Sequence, residues 1–442
     1  MIDYEQLHQR YLKEYEEIAD DIEKNIEKYR KSDAKIRIVD SNGMPISGVK
    51  VKVKQKTHDF KFGCNALVLG QLGEENKLYE EKILKLFNLV TTTICWSVYE
   101  SPEGVFHFED NGDEQYRRPP IDRVRKFAKE NNLAFKGQPL VADSWWPEWS
   151  SKNPEELKPQ YINYFKAINE RYGKDFYLID VVNEAYSAEK RTPEYPLFTP
   201  GLEYRNWAFE EVSKIFPDNI IFNYNEGSQV NAGKDADMFF NDVKKLIESG
   251  CGVDSCSFQY HVMTYKKNGG DGDFINHLRG LYNAPKDIYK VYHKFCELGI
   301  PMYISEITVP TKDVGLDVRL GEKIQADILE CLYKLWFSIP NMNGIIYWNL
   351  KDGVAFGREG DCLGCLIDEN FMEKPSYQRL YQLIQRDWKT CTEAETDSDG
   401  YVSFRGFNGD YEITITKDQN SALTQVMSVH KDAKNSTTYI IS

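Results

Sequence analysis

No stretch of this 442-residue sequence approaches the roughly 20 consecutive apolar residues that a membrane-spanning helix needs. Positive charge is in deficit: 55 Lys and Arg stand against 69 Asp and Glu, a formal net charge of −14. Nucleic acid and anionic membranes both select for basic patches, so neither is expected as a partner. The opening MIDYEQLHQRYLKEYEE has no basic segment leading into an apolar one, so no secretory leader is read there. The expected address is the cytoplasm, or outside the cell if a leader has been removed. The nine cysteines are odd in number and lack framework spacing, which fits reduced and mostly buried thiols. Cys362 and Cys365, in DCLGC, have the spacing of half a zinc or redox site, but no second ligand pair accompanies them, so no metal is expected. A glycine-rich phosphate turn is also missing. FGCNALVLGQLG, after the first barrel-type strand, does not supply one, which counts against an open doubly wound sheet, and no cofactor is expected.

What is present is aromatic and periodic. Aromatic residues make up 13% of the chain, with 28 Tyr, 23 Phe and 8 Trp. Rings build cores, and their flat faces also suit sugars. Tyr4, Leu7, Tyr11, Tyr15, Ile18, Ile22, Ile26 and Tyr29 recur at steps of three and four, which predicts one amphipathic helix over residues 1–31. Its stripe is expected to pack on the body of the protein, with a coiled-coil dimer as the alternative. Residues 32–57 switch to period two, with turn signals at Asn42-Gly43 and Ser47-Gly48. Residues 389–442 do the same. Neither end has enough strands to close a sheet alone, so the two ends are expected to meet in one small β-sandwich split across the chain.

Between them, over 58–388, strand and helix alternate. Strands are expected at 60–64, 88–94, 134–141, 176–182, 219–223, 253–259, 300–305 and 343–348. Helices are expected at 76–87, 119–132, 154–172, 203–216, 232–249, 285–298, 319–338 and 373–387. Eight such units closing on themselves make an α/β fold, the (β/α)8 TIM barrel, whose active site lies at the C-terminal strand ends. Those ends carry Asn65, Asp143 with SWWPEW, Asn183-Glu184, Tyr224-Asn225-Glu226, Gln259-Tyr260-His261, Glu306 and Trp348-Asn349. Polar groups converging there, with tryptophans around them, describe a carbohydrate cleft. Glu184 and Glu306 are the two strongest carboxylates. Glycoside hydrolysis uses such a pair: about 5–5.5 Å apart they give retention through a covalent intermediate, while a wider gap admits water and gives inversion. His261 is the expected partner that orients Glu306.

These segments resemble glycoside hydrolase family 10, the β-1,4-xylanase family, from about residue 60 to 387. The matching stretches include FKFGCN, GQPLVADSWWPEW, DVVNEAY, YNEG, VDSCSFQYH, YISEITVP, GIIYWNLKD and LIDENFMEKPSYQRL. DVVNEAY followed by QYH and then SEIT is the specific combination. The resemblance implies Glu184 as general acid/base and Glu306 as nucleophile. It implies Asn183 on the sugar 2-hydroxyl, Gln259 and His261 as braces, and Trp348 as the floor. The sequence also departs from the family. Its Glu-Asn-Glu-Met-Lys-Trp type segment after the second strand is replaced by VTTTICWSVYE, in which only Trp96 fits. Its Trp-His after the third strand is Ala142-Asp143, and its Trp after the eighth is Phe356. The cleavage machinery therefore looks intact while the wall that grips the neighbouring sugar looks rebuilt. Asp143, Trp145 and Trp146, with Tyr224, Asn225 and Asn65 nearby, are the candidates to line it. The expected function is retaining hydrolysis of a β-linked glycan. The alternatives are a same-clan β-glycosidase for a non-xylose sugar and a catalytically silent carbohydrate-binding barrel.

Overall fold

The computed structural model describes residues 4–111, 114–142, 145–186, 203–262, 284–312, 314, 317–418 and 421–441. The first helix runs Tyr4–Arg30. Tyr11, Tyr15, Ile22 and Ile26 of its stripe are buried, with Leu7 and Ile18 half-buried beside them. The stripe lies along helices Pro285–Phe295 and Val318–Ser338. His8 Nε2 meets Asp327 at 3.1 Å, and Asn25 Nδ2 donates to the Tyr289 hydroxyl at 2.8 Å. The apolar face is thus used within the chain. At its end, Arg30 donates to the carbonyls of Phe337 and Ile339. These carbonyls close helix Val318–Ser338, so a buried cation meets the negative end of a helix dipole.

Two strands follow, β1 (Lys31–Val39) and β2 (Lys50–Gln55). Between them the Asp40 carboxylate accepts from the amides of Asn42 and Met44, and Gly43 takes φ +79°. This turn makes no hairpin, because β1 and β2 enter different sheets. The barrel then begins: β3 (Lys61–Asn65), β4 (Leu89–Thr93), β5 (Ala134–Gln138), β6 (Val141–Ala142), β7 (Leu178–Asn183), β8 (Ile221–Glu226), β9 (Ser255–His261), β10 (Met302–Thr308) and β11 (Met342–Tyr347). Neighbouring strands pair in parallel, and β11 returns to β3, which closes the ring. The segment expected as one strand over 134–141 is two. Pro139 has no N–H to give the ladder, so β5 stops at Gln138 and β6 resumes as a short pair with β7. The eight expected helices are present between the strands. Local chemistry starts two of them: Asn153 caps helix Pro154–Tyr172, and Asp317 caps Val318–Ser338 by accepting from the Leu320 amide.

The chain ends in β12 (Cys391–Glu395), β13 (Tyr401–Phe407), β14 (Gly409–Asp418), β15 (Ser421–Val429) and β16 (Ser436–Ile440). One sheet has the order β13-β1-β16 and the other β12-β2-β14-β15, so each is built from both ends of the chain. Period-two alternation turns Ile36 and Ile38 of β1 and Val51 and Val53 of β2 into a common core with Ile413, Ile415 and Val429. This is the expected split sandwich. His58 sits where it joins the barrel. Its Nδ1 accepts from the Phe60 amide at 3.1 Å, and its ring packs on Phe62, Phe337 and Phe407. Burial pushes the His58 pKa down to about 3, and Arg30 and Lys61 push the same way.

Candidate active site

Alternation along each strand decides which side chains fill the barrel. Lys136 and Gln138 of β5 point in, as do Asp180 of β7, Asn223 and Asn225 of β8, and Ser257 of β9, because they bond to one another across the interior. Lys136 Nζ reaches the Asp180 carboxylate at 2.5 Å and Gln138 Oε1 at 2.9 Å. Asn223 Nδ2 donates to Asp180 at 2.7 Å and to Ser257 Oγ at 2.6 Å. Lys136 and Asp180 are both fully buried. Burial pushes the Asp180 carboxyl up, and Lys136 and Asn223 pull against it. A buried ion pair survives only with such partners.

On this polar base rests Glu306. Its Oε1 accepts from Gln138 Nε2 and, at 3.0 Å, from Asn225 Nδ2. Its Oε2 lies 2.9 Å from His261 Nε2, and His261 Nδ1 lies 2.9 Å from the Thr308 hydroxyl. With the ring proton on Nε2, His261 donates to Glu306 and accepts from Thr308. Strand register makes this possible: Glu306 stands opposite Gln259 and Thr308 opposite His261. Asn225 in turn accepts from Ser257 and Ser305, and its Nδ2 also meets Asn183 Oδ1 at 2.6 Å.

Glu184 follows β7 in a left-handed conformation, φ +54°. For a residue other than glycine this costs about 1–3 kcal/mol and persists only where the surroundings hold it. Here they do. The Glu184 amide donates to the Asn225 carbonyl at 2.8 Å, and the Tyr186 amide donates to the buried Glu226 carboxylate at 2.9 Å. Gln259 Nε2 donates to Glu184 Oε1 at 2.9 Å. Glu184 and Glu306 therefore both take a donor from β9, two residues apart.

The remaining expected site residues divide. Trp348 packs edge-on to His261, with centroids 5.8 Å apart. Trp145 lies under the Arg118 guanidinium at 4.7 Å. Trp146 is half-buried and donates to the Ala142 carbonyl at 3.1 Å. Phe356 is 65% exposed and held edge-on by Tyr116. Asn65 is buried, and neither polar atom of its amide has a protein partner. Asp143 lies outside the described residues. Two expectations are corrected. Trp96 is 1% exposed: its indole donates to Glu100 and its ring packs on Trp149, Tyr161 and Tyr164, so it has no face for a sugar. Tyr224 is also fully buried and packs on Phe239 of the outer helix Gly233–Ser249. With Asn223 and Asn225 turned inward, the residue between them must turn outward.

Several residues of the site went unread in the sequence: Gln138, Lys136, Asp180, Thr308 and the bracing role of Glu226. So did the mouth-knitting residue Arg117, which takes φ +63° and donates to Asn349 at 2.9 Å and to Glu359 at 2.8 Å. Its amide donates to Gln71, so the excursions after β3, β4 and β11 meet there. Burial pushes the Glu359 carboxyl up, but Arg117 and Asn349 outweigh it and hold it below the usual range. All nine cysteines are free, and Cys362 and Cys365 are buried.

A closed parallel barrel that presents two glutamates, an Asn-Glu step and a Gln-x-His step at its mouth has the design of a glycoside hydrolase. The chain belongs to glycosyl hydrolase family 10, whose family model matches residues 50–383. Endo-1,4-beta-xylanase B of Thermotoga neapolitana is 25% identical over 323 residues, covering 70% of this chain and 84% of that protein. A protein of Acetivibrio thermocellus described as anti-sigma-I factor RsgI6 is 25% identical over 405 residues, 90% of this chain. The chain spans 46% of that relative's length. In fold, xylanase 10B from Thermotoga petrophila RKU-1, solved in complex with xylobiose, superposes with a TM-score of 0.61 at 24% identity, covering 74% of this chain and 95% of that one.

Proposed function

We propose that the chain hydrolyses a β-linked, xylan-type glycan with retention, by double displacement. Glu184 protonates the leaving oxygen while Glu306 attacks the anomeric carbon, which breaks the glycosidic bond and forms a glycosyl ester on Glu306. Water then attacks the same carbon, Glu184 takes its proton, and the ester bond breaks to release the sugar. The observation that carries the division of roles is the set of donors on Glu306: Gln138, Asn225 and His261 all give hydrogen bonds to its two oxygens. Donors of this number suit an ionised nucleophile that must not rotate. Glu184 sits on a strained turn beside Asn183 and accepts from Gln259 Nε2, a position suited to exchanging a proton. The xylanase relatives support the substrate class.

Azide trapping tests the roles. With an activated aryl β-xyloside, Glu306→Ala should yield the inverted glycosyl azide, and Glu184→Ala the retained one. The opposite stereochemistries would exchange the roles, and a Glu306→Ala variant that keeps most activity would refute the site. Wild-type protein inactive on a panel of aryl β-glycosides and oligosaccharides would favour a silent sugar-binding barrel. A preference for a gluco-, galacto- or manno-configured member would favour a different substrate.

A further inference from the structure

Against the rebuilt wall lies a cation with no counter-charge among the described residues. Arg117 is paired with Glu359, and Arg123 with Asp110 and Glu114. Arg118, between them in sequence, has no carboxylate within ion-pair distance among the described residues. One Nη of Arg118 donates to the Arg117 carbonyl at 2.8 Å. The plane of the guanidinium is set by Trp145, 4.7 Å below it. Its Nε is buried and has no protein partner. An arginine held this way has one edge, Nε with the other Nη, that is already oriented and takes no hydrogen-bond acceptor among the described residues. That edge matches the two oxygens of a carboxylate.

Position adds to the case. The Ser97 amide donates to the Trp145 carbonyl at 3.0 Å, which ties this platform to the turn after β4. Thr93, near the end of β4, is registered with Gln138, the residue that holds Glu306. Burial pushes the neighbouring Cys95 thiol up to about 12, with Arg118 pulling it down and Glu306 pushing it up, so that thiol feels both charges. Beside Arg118 opens a cavity of about 320 Å³, lined also by Ser97, Tyr99, Ser101, His107 and Gln115. Its volume falls at the lower end of the roughly 300–1,000 Å³ common for small-ligand sites. Glu114 borders it too, but both of its oxygens are turned to Arg123, at 3.0 and 2.8 Å.

We propose that Arg118, stacked on Trp145, is a receptor for the carboxylate of an acidic sugar, so that the cleft selects a β-glycan decorated with uronic acid. This rests on the glycan-hydrolase reading and adds the class of substrate. A surplus of negative charge across the rest of the chain would otherwise repel such a substrate, which gives one unpaired arginine unusual leverage.

The test separates the proposal from the reading beneath it by measuring binding rather than turnover. Calorimetry on the Glu306→Gln protein would compare a xylo-oligosaccharide bearing one uronic acid branch with the undecorated oligosaccharide of the same backbone length. The acidic ligand is expected to bind about 10- to 100-fold more tightly, the scale of a charge-assisted bidentate contact. Adding Arg118→Gln should collapse that ratio toward one, Arg118→Lys should restore it in part, and raising salt should shrink it. Equal affinity for the two ligands, or a ratio that survives Arg118→Gln, would overturn the proposal. Wild-type protein that turns over neither ligand would refute the hydrolase reading while leaving the binding ratio to judge Arg118. A melting temperature for Arg118→Gln close to that of its parent is required for the ratio to count as specificity. A large drop together with equal loss of both ligands would mean a structural role and overturn it.

Discussion

Replacing Lys136 by Met should damage stability and catalysis by separable routes. The pair it forms with Asp180 spans 2.5 Å and neither residue is exposed. Removing the cation leaves a buried carboxylate with Asn223 as its remaining side-chain donor. Losing one partner of a buried pair costs about 3–5 kcal/mol. For a barrel of about 330 residues the unfolding entropy is about 0.7 kcal/mol/K, so the melting temperature should fall by about 4–7 °C. The pH dependence has a definite sign. Burial already pushes the Asp180 carboxyl up, and losing Lys136 pushes it further. A raised carboxyl favours folding below its unfolded pKa of about 3.9 and loses that contribution as pH rises through the folded value. The deficit of Lys136→Met should therefore be larger near pH 8 than near pH 5. Scanning calorimetry at both pH values checks this. Lys136→Met with Asp180→Leu should regain most of the stability, since the unpaired charge is gone. Its kcat should stay low, because Gln138 has lost the ammonium that fixes its amide toward Glu306. A single variant that melts within a degree of wild type, or a double variant no more stable than the single, would refute the reasoning.

Glu184→Gly should melt higher than Glu184→Ala by about 1 kcal/mol in stability, since glycine accepts φ +54° without strain, while both lose turnover; thermal denaturation of the pair decides it. Glu226→Gln puts an amide where the Tyr186 and Gly227 amides need an acceptor, so kcat on an oligosaccharide should fall at least tenfold with KM little changed, as steady-state kinetics would show. His58 has its pKa pushed down to about 3 by burial, and its Nδ1 is already an acceptor. Its contribution is present at neutral pH and is lost as pH falls below the unfolded value of about 6.5, by up to about 1.4 kcal/mol per pH unit. Urea midpoints measured from about pH 7 to pH 4 should thus fall more steeply for wild type than for His58→Gln.

Much of the fold was legible because strands and helices here obey their periods. The helix Pro154–Tyr172 falls on its expected residues, and the nine strands of the closed ring match the eight expected units, one of them divided between β5 and β6. The strand ends were read short for a physical reason. Asn225, Glu226, His261 and Thr308 extend β8, β9 and β10 at their C-terminal ends, and polar residues there give no apolar signal. Those are the residues that carry the site. Short motifs single out Glu184, Glu306, Asn183, Gln259 and His261 in the sequence, and the fold links them through Asn225 and β9. Lys136 and Asp180 were not, since charges in a strand read as solvent-facing until the barrel closes around them. Trp96 shows the opposite error: a tryptophan near a sugar cleft is still more apt to fill a core, and only its packing on Tyr161 and Tyr164 of helix Pro154–Tyr172 reveals which it does.

The split sandwich also sets an order of assembly. Among the described strands, β1 pairs with β13 and β16, and β2 with β12 and β14, so neither has a partner made before the ribosome passes residue 390. The first helix packs on Pro285–Phe295 and Val318–Ser338, which also emerge late. At about 5–20 residues per second, the first strands wait roughly 20–70 s with their edges unpaired. Lysines at 50, 52, 54 and 56 alternate along β2 and its flank, charges of the kind that keep an open edge from pairing with a stranger. The strands made ahead of the barrel thus find their places after it, and β2 is dressed for the interval.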